Sequence, residues 1–145
     1  MNAGRICSRV VATATPSEKV RVAARRMAVN DVGTLVVLDA LNQNQAIGIV
    51  TDRDIAIRCV AGDLDPDTAH VSQVMTQPVA TVDEFTSVDV AITRMAANAT
   101  RRLVVTGEGQ RLVGIMSLDD VLEMLARELG PIGALLEQQQ PRIPA

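Results

Sequence analysis

The chain has a single aromatic residue, Phe85, and neither tryptophan nor tyrosine. That lack removes the stacking platforms on which single-stranded nucleic acid is held, and any planar ring bound here must lie between aliphatic side chains. Positive charge is also short: 14 basic residues against 17 acidic leave a net charge of −3, which repels a polyanion. Nucleic acid is therefore not an expected partner. No run approaches the ~18–20 consecutive apolar residues of a membrane span, and the stretch Val10 to Ala14 is too short and too polar in context for a signal peptide. A soluble, cytoplasmic protein without a membrane partner is expected. Cysteine is limited to Cys7 and Cys59, which form no CxxC pair and sit in apolar patterns where a reduced thiol acts as a small hydrophobe. Histidine occurs once, at His70, and no motif places a serine, cysteine or second histidine beside it. It reads as a linker residue. The acidic run at 63–67 starts like a calcium loop but has Thr68 where glycine is needed and Val74 where glutamate closes the loop. No metal and no required cofactor are expected, and nothing pairs a nucleophile with a base, so the chain does not read as an enzyme.

What is present is an aliphatic chain of 145 residues, 48% apolar, in the size range of one compact body. Sliding it along itself by 68 residues lays Val11-Ala12-Thr13 on Val79-Ala80-Thr81, Arg26-Met27-Ala28 on Arg94-Met95-Ala96, and Leu35-Val36-Val37 on Leu103-Val104-Val105. Two residues are then lost from a turn, and at an offset of 66 Gly48-Ile49 falls on Gly114-Ile115 and Asp54 on Asp120. Two copies are too few for a solenoid, so a pseudo-symmetric pair that buries sheet against sheet is expected.

Each copy spells β-α-β-β-α, a mixed α/β (α+β) unit. A short extended piece, Val10 to Thr13 or Val79 to Val82, leads to a helix with the stripe Val20, Ala23, Ala24, Met27, Ala28, repeated as Val88, Ala91, Ile92, Met95, Ala96. Thr15, Pro16 and Glu18 predict the first helix start, and Asp83 the second. Two apolar strands follow in each copy, Leu35 to Leu38 with Ile47 to Val50, and Leu103 to Val105 with Leu112 to Met116. A second helix closes each copy; Gly130-Pro131 predicts the end of the last one. The expected division is repeat one at 1–61, a linker at 62–70, repeat two at 71–130 and a tail at 131–145, frayed from Gln138 onward.

The sharpest local signal is the strand-to-helix junction, Gly48-Ile49-Val50-Thr51-Asp52-Arg53-Asp54 and Gly114-Ile115-Met116-Ser117-Leu118-Asp119-Asp120. In each, a hydroxyl precedes an aspartate by three residues. Glycine in the strand admits a close backbone approach by a ligand, the hydroxyl at a helix start suits an anion, and an ionised carboxylate accepts from paired hydroxyls such as a ribose diol. A plain helix cap uses the same residues. Both readings stand at this point.

The doubled order of elements with a Gly-x-x-Thr/Ser-x-x-Asp junction resembles a tandem pair of CBS domains, named after cystathionine β-synthase. The resemblance runs from about Ile6 to Leu129 and includes the lead-in Val71-Ser72-Gln73-Val74-Met75-Thr76, in which Cys7 stands where Met75 stands in the second copy. It implies a stand-alone regulatory module that binds an adenosyl compound (AMP, ADP, ATP, NAD or S-adenosylmethionine) between the repeats and signals by a conformational change to an unidentified regulated protein. By the same resemblance Asp54 and Asp120 would hold ribose hydroxyls, Thr51 and Ser117 would meet phosphate or ribose oxygens, and Val11 and Val79 would sandwich adenine. A homodimer through small, Ala-rich helix faces is implied too. A scaffold of the same fold that binds no ligand is the alternative.

The copies differ in charge. Arg101-Arg102 precede the first core strand of the second copy where the first has Gly33-Thr34, and Arg53 lies in the first junction. The expectation is one cleft richer in phosphate-facing charge, at the second copy, against the plainer reading of solvated arginines at a strand entry.

Overall fold

The computed structural model describes residues 1–139. In chain order the elements are α1 (Ala3–Ile6), β1 (Thr13–Ala14), α2 (Val20–Asn30), β2 (Thr34–Leu38), β3 (Ala46–Thr51), α3 (Asp52–Asp54), α4 (Val71–Val74), β4 (Thr81–Asp83), α5 (Val88–Ala97), β5 (Arg102–Thr106), β6 (Leu112–Ser117) and α6 (Leu118–Gln139). They make two three-stranded sheets, β1-β2-β3 and β4-β5-β6, each with a parallel first pair and an antiparallel second pair. The registers keep the sequence offsets: Thr13 faces Val36 as Thr81 faces Val104, and Val36 faces Ile49 as Val104 faces Ile115. Side chains repeat as well. Arg26 donates to the Thr13 carbonyl at 2.7 Å and Arg94 to that of Thr81 at 2.8 Å, while Asn30 and Asn98 each close the helix behind them.

Alternation along a strand sends Leu35 and Val37 to one face and Val36 to the other. Leu35 and Val37 join Val20, Ala23 and Met27 in the first helix-backed core; Leu103 and Val105 join Val88, Ala91 and Met95 in the second. Val36 and Val104 belong to neither cluster yet are fully buried. Burial on a face without a helix means that the two sheets cover one another there.

The lead-in segments are exchanged. Ala3, Ile6 and Cys7, at the start of the first copy, pack into the second core, whereas Val71, Val74 and Met75, at the start of the second copy, pack into the first. Beyond them the chain adds itself to the opposite sheet: Ser8 exchanges both backbone hydrogen bonds with Ile115 on β6, and Thr76 does so with Ile49 on β3. The packing units therefore interlock across the division read from the sequence.

Three local expectations, two helix starts and one helix end, are corrected. Helix α2 begins at Val20, not beside Thr15: Glu18 does reach the Thr15 amide, but within a turn, and the helix starts only where Val20 donates to the Ala69 carbonyl. Likewise α5 begins after Ser87, and Asp83 serves a turn by accepting from the Phe85 amide. The helix after β3 widens from Ile55 to Val60, with the Ala61 amide reaching the Ala56 carbonyl five residues back. Finally, α6 runs through Pro131 to Gln139 rather than stopping at Gly130-Pro131. Proline fixes a helical φ, and on this exposed stretch the Arg127 carbonyl that loses its intrahelical donor can turn to water. The apolar positions Ile132 and Leu136 continue the stripe beyond it. The expected frayed tail falls, from residue 140, outside the described residues.

Candidate functional site

Both junctions form complete caps. Asp54 accepts from the Thr51 amide at 2.9 Å and its own amide donates to Thr51 Oγ1 at 3.1 Å. In the second copy Asp120 Oδ2 accepts from the Ser117 amide at 2.7 Å and from Ser117 Oγ at 2.8 Å, and the Asp120 amide returns to Ser117 Oγ at 3.2 Å. Each cap occupies Oδ2. The Oδ1 of Asp54, whose side chain is 15% exposed, has Arg58 Nη2 at 3.8 Å. The plain capping reading is thus realised at both places, with one carboxylate oxygen in each left outside the cap.

The two glycines meet the protein's own chain. A Cβ on Gly114 would stand 2.5 Å from the Ser8 carbonyl oxygen and 2.8 Å from Cys7 Sγ; one on Gly48 would stand 3.0 Å from the Thr76 oxygen and from Met75 Sδ. The close approach expected of a ligand is made instead by the exchanged lead-ins.

Around the first junction lies a hollow of about 380 Å³ walled by both repeats. Thr51, Arg53 and Asp54 come from the first; Thr76, Arg101 and Arg102 come from the second. Arg101 also lies 3.6 Å from Asp119, at the start of α6, so it stands between the two junctions. Arg101 and Arg102 thus serve both places: Arg102 faces Ser117 across β5 and β6 and the Arg101 carbonyl accepts from the Leu118 amide at 2.8 Å, while both residues also wall the hollow at the Thr51-Asp54 end. Val79 lines a neighbouring hollow with Ala46 and Ile47 along the same strand β3, and Val11 is half-buried in the counterpart lead-in. Sequence reasoning missed Thr76 and the loop Asn98-Ala99-Thr100, which close this hollow. No local signal marks them, because they reach the junction only through the crossing of the repeats.

Asp120 has different surroundings. It borders a hollow of about 340 Å³ between α1 and α6, with Arg5, Ile6, Met124 and Arg127. In the first copy Arg58, the counterpart of Met124 at the offset of 66, sends its guanidinium to the Val74 and Met75 carbonyls, both at 2.9 Å.

The acidic run at 63–67 and His70 make local polar contacts. Asp67 is paired with Arg21, which lowers its pKa; Asp65 accepts from the Asp67 amide. His70 Nε2 lies 3.2 Å from Lys19 Nζ. Both cysteines are free thiols, and burial pushes that of Cys7 up. Among the described residues no three His, Cys, Asp or Glu side chains group as a metal site, and no helix is long and apolar enough to cross a membrane.

Two copies of one α/β unit, with a junction hollow walled by both, define a tandem-repeat fold. The family model for the CBS domain matches twice, at residues 3–60 and 71–127, and the chain belongs to that family. It is 31% identical over 124 residues to uncharacterized protein MK0525 of Methanopyrus kandleri, covering 86% of this chain and 62% of that relative's length. It is 32% identical over 125 residues to hypoxic response protein 1 of Mycobacterium tuberculosis, covering 86% and 81%. A crystal structure of Hypoxic Response Protein I with two coordinated zinc ions matches with a TM-score of 0.75 at 30% identity, over 85% of this chain and 98% of the other. The CBS domain protein PAE2072 of Pyrobaculum aerophilum, solved in complex with AMP, matches with a TM-score of 0.76 at 28% identity, over 83% and 89%.

Proposed function

We propose that this chain is a cytoplasmic, non-catalytic regulatory module whose first hollow takes an adenosine phosphate, and that it works as a homodimer read by a partner protein. The observation that carries this reading is the convergence of Arg53, Arg101 and Arg102 on the hollow that holds Thr51 and Asp54. Guanidinium groups are phosphate ligands, and the uncapped oxygen of Asp54 is an acceptor for a ribose hydroxyl. Three cations against Asp52 and Asp54 favour the phosphates of AMP, ADP, ATP or NAD over the sulfonium of S-adenosylmethionine. The AMP complex of PAE2072 supports the same ligand class. Val79, beside β3, belongs with this first hollow, and Asp120, Ser117 and Val11 are the corresponding positions for a second, weaker site.

Thermal shift with AMP, ATP, NAD and S-adenosylmethionine tests the proposal, since a ligand at 100 times its Kd stabilises by about 2.7 kcal/mol. Asp54→Asn keeps a cap acceptor and removes the charge; the expected result is an unchanged melting temperature without ligand and a lost shift with it. If none of the four shifts melting at millimolar concentration, the adenosyl reading fails. The completeness of both caps favours one rival, a scaffold of the same fold that binds no ligand. Under it, small molecules released from freshly purified protein contain no adenosyl compound by mass spectrometry.

A further inference from the structure

Helix α6 is far longer than its repeat needs. Its 22 residues extend about 33 Å at 1.5 Å per residue, while its counterpart after β3 ends at Val60. Val121 is buried and Leu118 packs against the second core, but every residue from Leu125 to Gln138 is exposed. Leu118, Leu122, Leu125, Leu129, Ile132 and Leu136 follow one another at alternating steps of four and three. That is the heptad seam of a two-stranded coiled coil. The five from Leu122 onward are 41–60% exposed.

We infer that this seam is a dimer interface whose occupant is the same helix of a second copy. Three observations choose that occupant. The flanking position that follows each of Leu125 and Ile132 is small and uncharged, Ala126 and Gly133, and a Cβ built on Gly133 meets nothing within 4 Å, so a second helix can approach closely. The pair Glu123 and Arg127 is satisfied within its own helix and lies off the seam, leaving Glu128 as the flanking charge; no charge pattern selects a foreign partner over self. An anionic membrane surface is disfavoured, because the exposed stretch carries Arg127 against Glu123, Glu128 and Glu137. The exposed seam with Leu135 beside it offers about 600 Å² per copy, or about 1,200 Å² for two, which meets the lower bound of a stable interface. A twofold arrangement makes each seam its own complement. This inference rests on the homodimer reading above and assigns an interface to α6.

Sedimentation equilibrium of the full chain against Leu129→Glu/Ile132→Glu tests it, with far-UV circular dichroism as the control for folding. A dimeric wild type and a folded monomeric variant are expected. If the acidic pair unfolds, Leu129→Ala/Ile132→Ala gives the same reading as a rise in dimer Kd of about tenfold or more. A dimer unchanged in these variants overturns the seam and leaves the homodimer intact elsewhere. A wild type monomeric at about 100 μM, and so with a dimer Kd well above that concentration, overturns both. Adenosine phosphate binding measured in the same variants is expected to persist, which keeps the ligand reading separate.

Discussion

Replacing Gly114 by alanine is expected to be one of the most damaging single-methyl changes available in this chain. The added Cβ stands 2.5 Å from the Ser8 carbonyl oxygen, a backbone atom that cannot swing aside. To restore ordinary contact the lead-in must retreat, which breaks the Ser8 to Ile115 pair, hydrogen-bonded at 2.9 and 3.0 Å. Two weakened backbone bonds at about 1 kcal/mol each, overpacking of about 1–3 kcal/mol, and a gain of about 0.5–1 kcal/mol from alanine over glycine in a strand combine to a loss of about 2–4 kcal/mol. Gly48→Ala meets the same class of neighbour more gently, at 3.0 Å from Thr76 O and from the flexible Met75 Sδ. Its cost is about 1 kcal/mol, because a thioether end can move where a peptide cannot. With no tryptophan or tyrosine to report by fluorescence, urea unfolding followed by far-UV circular dichroism is the assay. A Gly114→Ala variant within about 0.5 kcal/mol of wild type, or a Gly48→Ala variant equal to it, refutes the account in which the lead-in backbone requires this glycine.

Ala99 closes α5 at φ 49°, a left-handed position that costs a side chain about 1–2 kcal/mol. Ala99→Gly is therefore expected to raise stability by about 0.5–1 kcal/mol in the same urea assay, since part of the relieved strain is offset by the freedom of glycine when unfolded. Glu18 is held below the usual carboxylate range by its hydrogen bond to Arg26, against the opposing effect of burial. A depressed folded pKa stabilises above the unfolded value of about 4.3 and the gain is lost as pH falls through the folded value. Glu18→Gln should thus cost about 1 kcal/mol at pH 7 and nothing measurable well below pH ~4; an equal cost at both pH values counts against the ion pair. Neutralising Arg101 and Arg102 together should weaken AMP binding and flatten its salt dependence while leaving phosphate-free adenosine unaffected. Equal losses for both ligands on calorimetry contradict a phosphate role.

The repeat was the most legible feature because strand and helix periodicity are local: of the two stripes, Val20, Ala23, Met27 and Val88, Ala91, Met95 are buried as read, whereas Ala24 is half-buried and Ala28, Ile92 and Ala96, read on the same faces, are exposed. Helix starts were less legible. Thr15 and Asp83 carry capping side chains, yet α2 and α5 begin only after the chain has paired with distant segments, Val20 with Ala69 and Val88 with Met1. The junctions were visible as spacing, and the structure shows the spacing at work as caps. What could not be read was which arginine faces which aspartate. Arg101 and Arg102 follow the second copy's helix in sequence, but their wall of the hollow belongs to the first copy's aspartate.

That crossing bears on how binding could become a signal. Strand β3 takes Thr76 as an added partner while β6 takes Ser8, so each sheet edge is finished by the other repeat. The first hollow inherits this arrangement, with Thr51 and Asp54 on one side and Arg101 and Arg102 on the other. A phosphate held by the arginines and a ribose held by Asp54 would tie the two repeats through one molecule. Its binding free energy would then act on the angle between the sheets, and only the difference in affinity between two such angles could move the equilibrium. Substitutions that loosen the lead-in exchange, such as Gly114→Ala, should weaken that coupling without touching a single residue of the first hollow, and calorimetry of AMP binding to this variant separates coupling from contact.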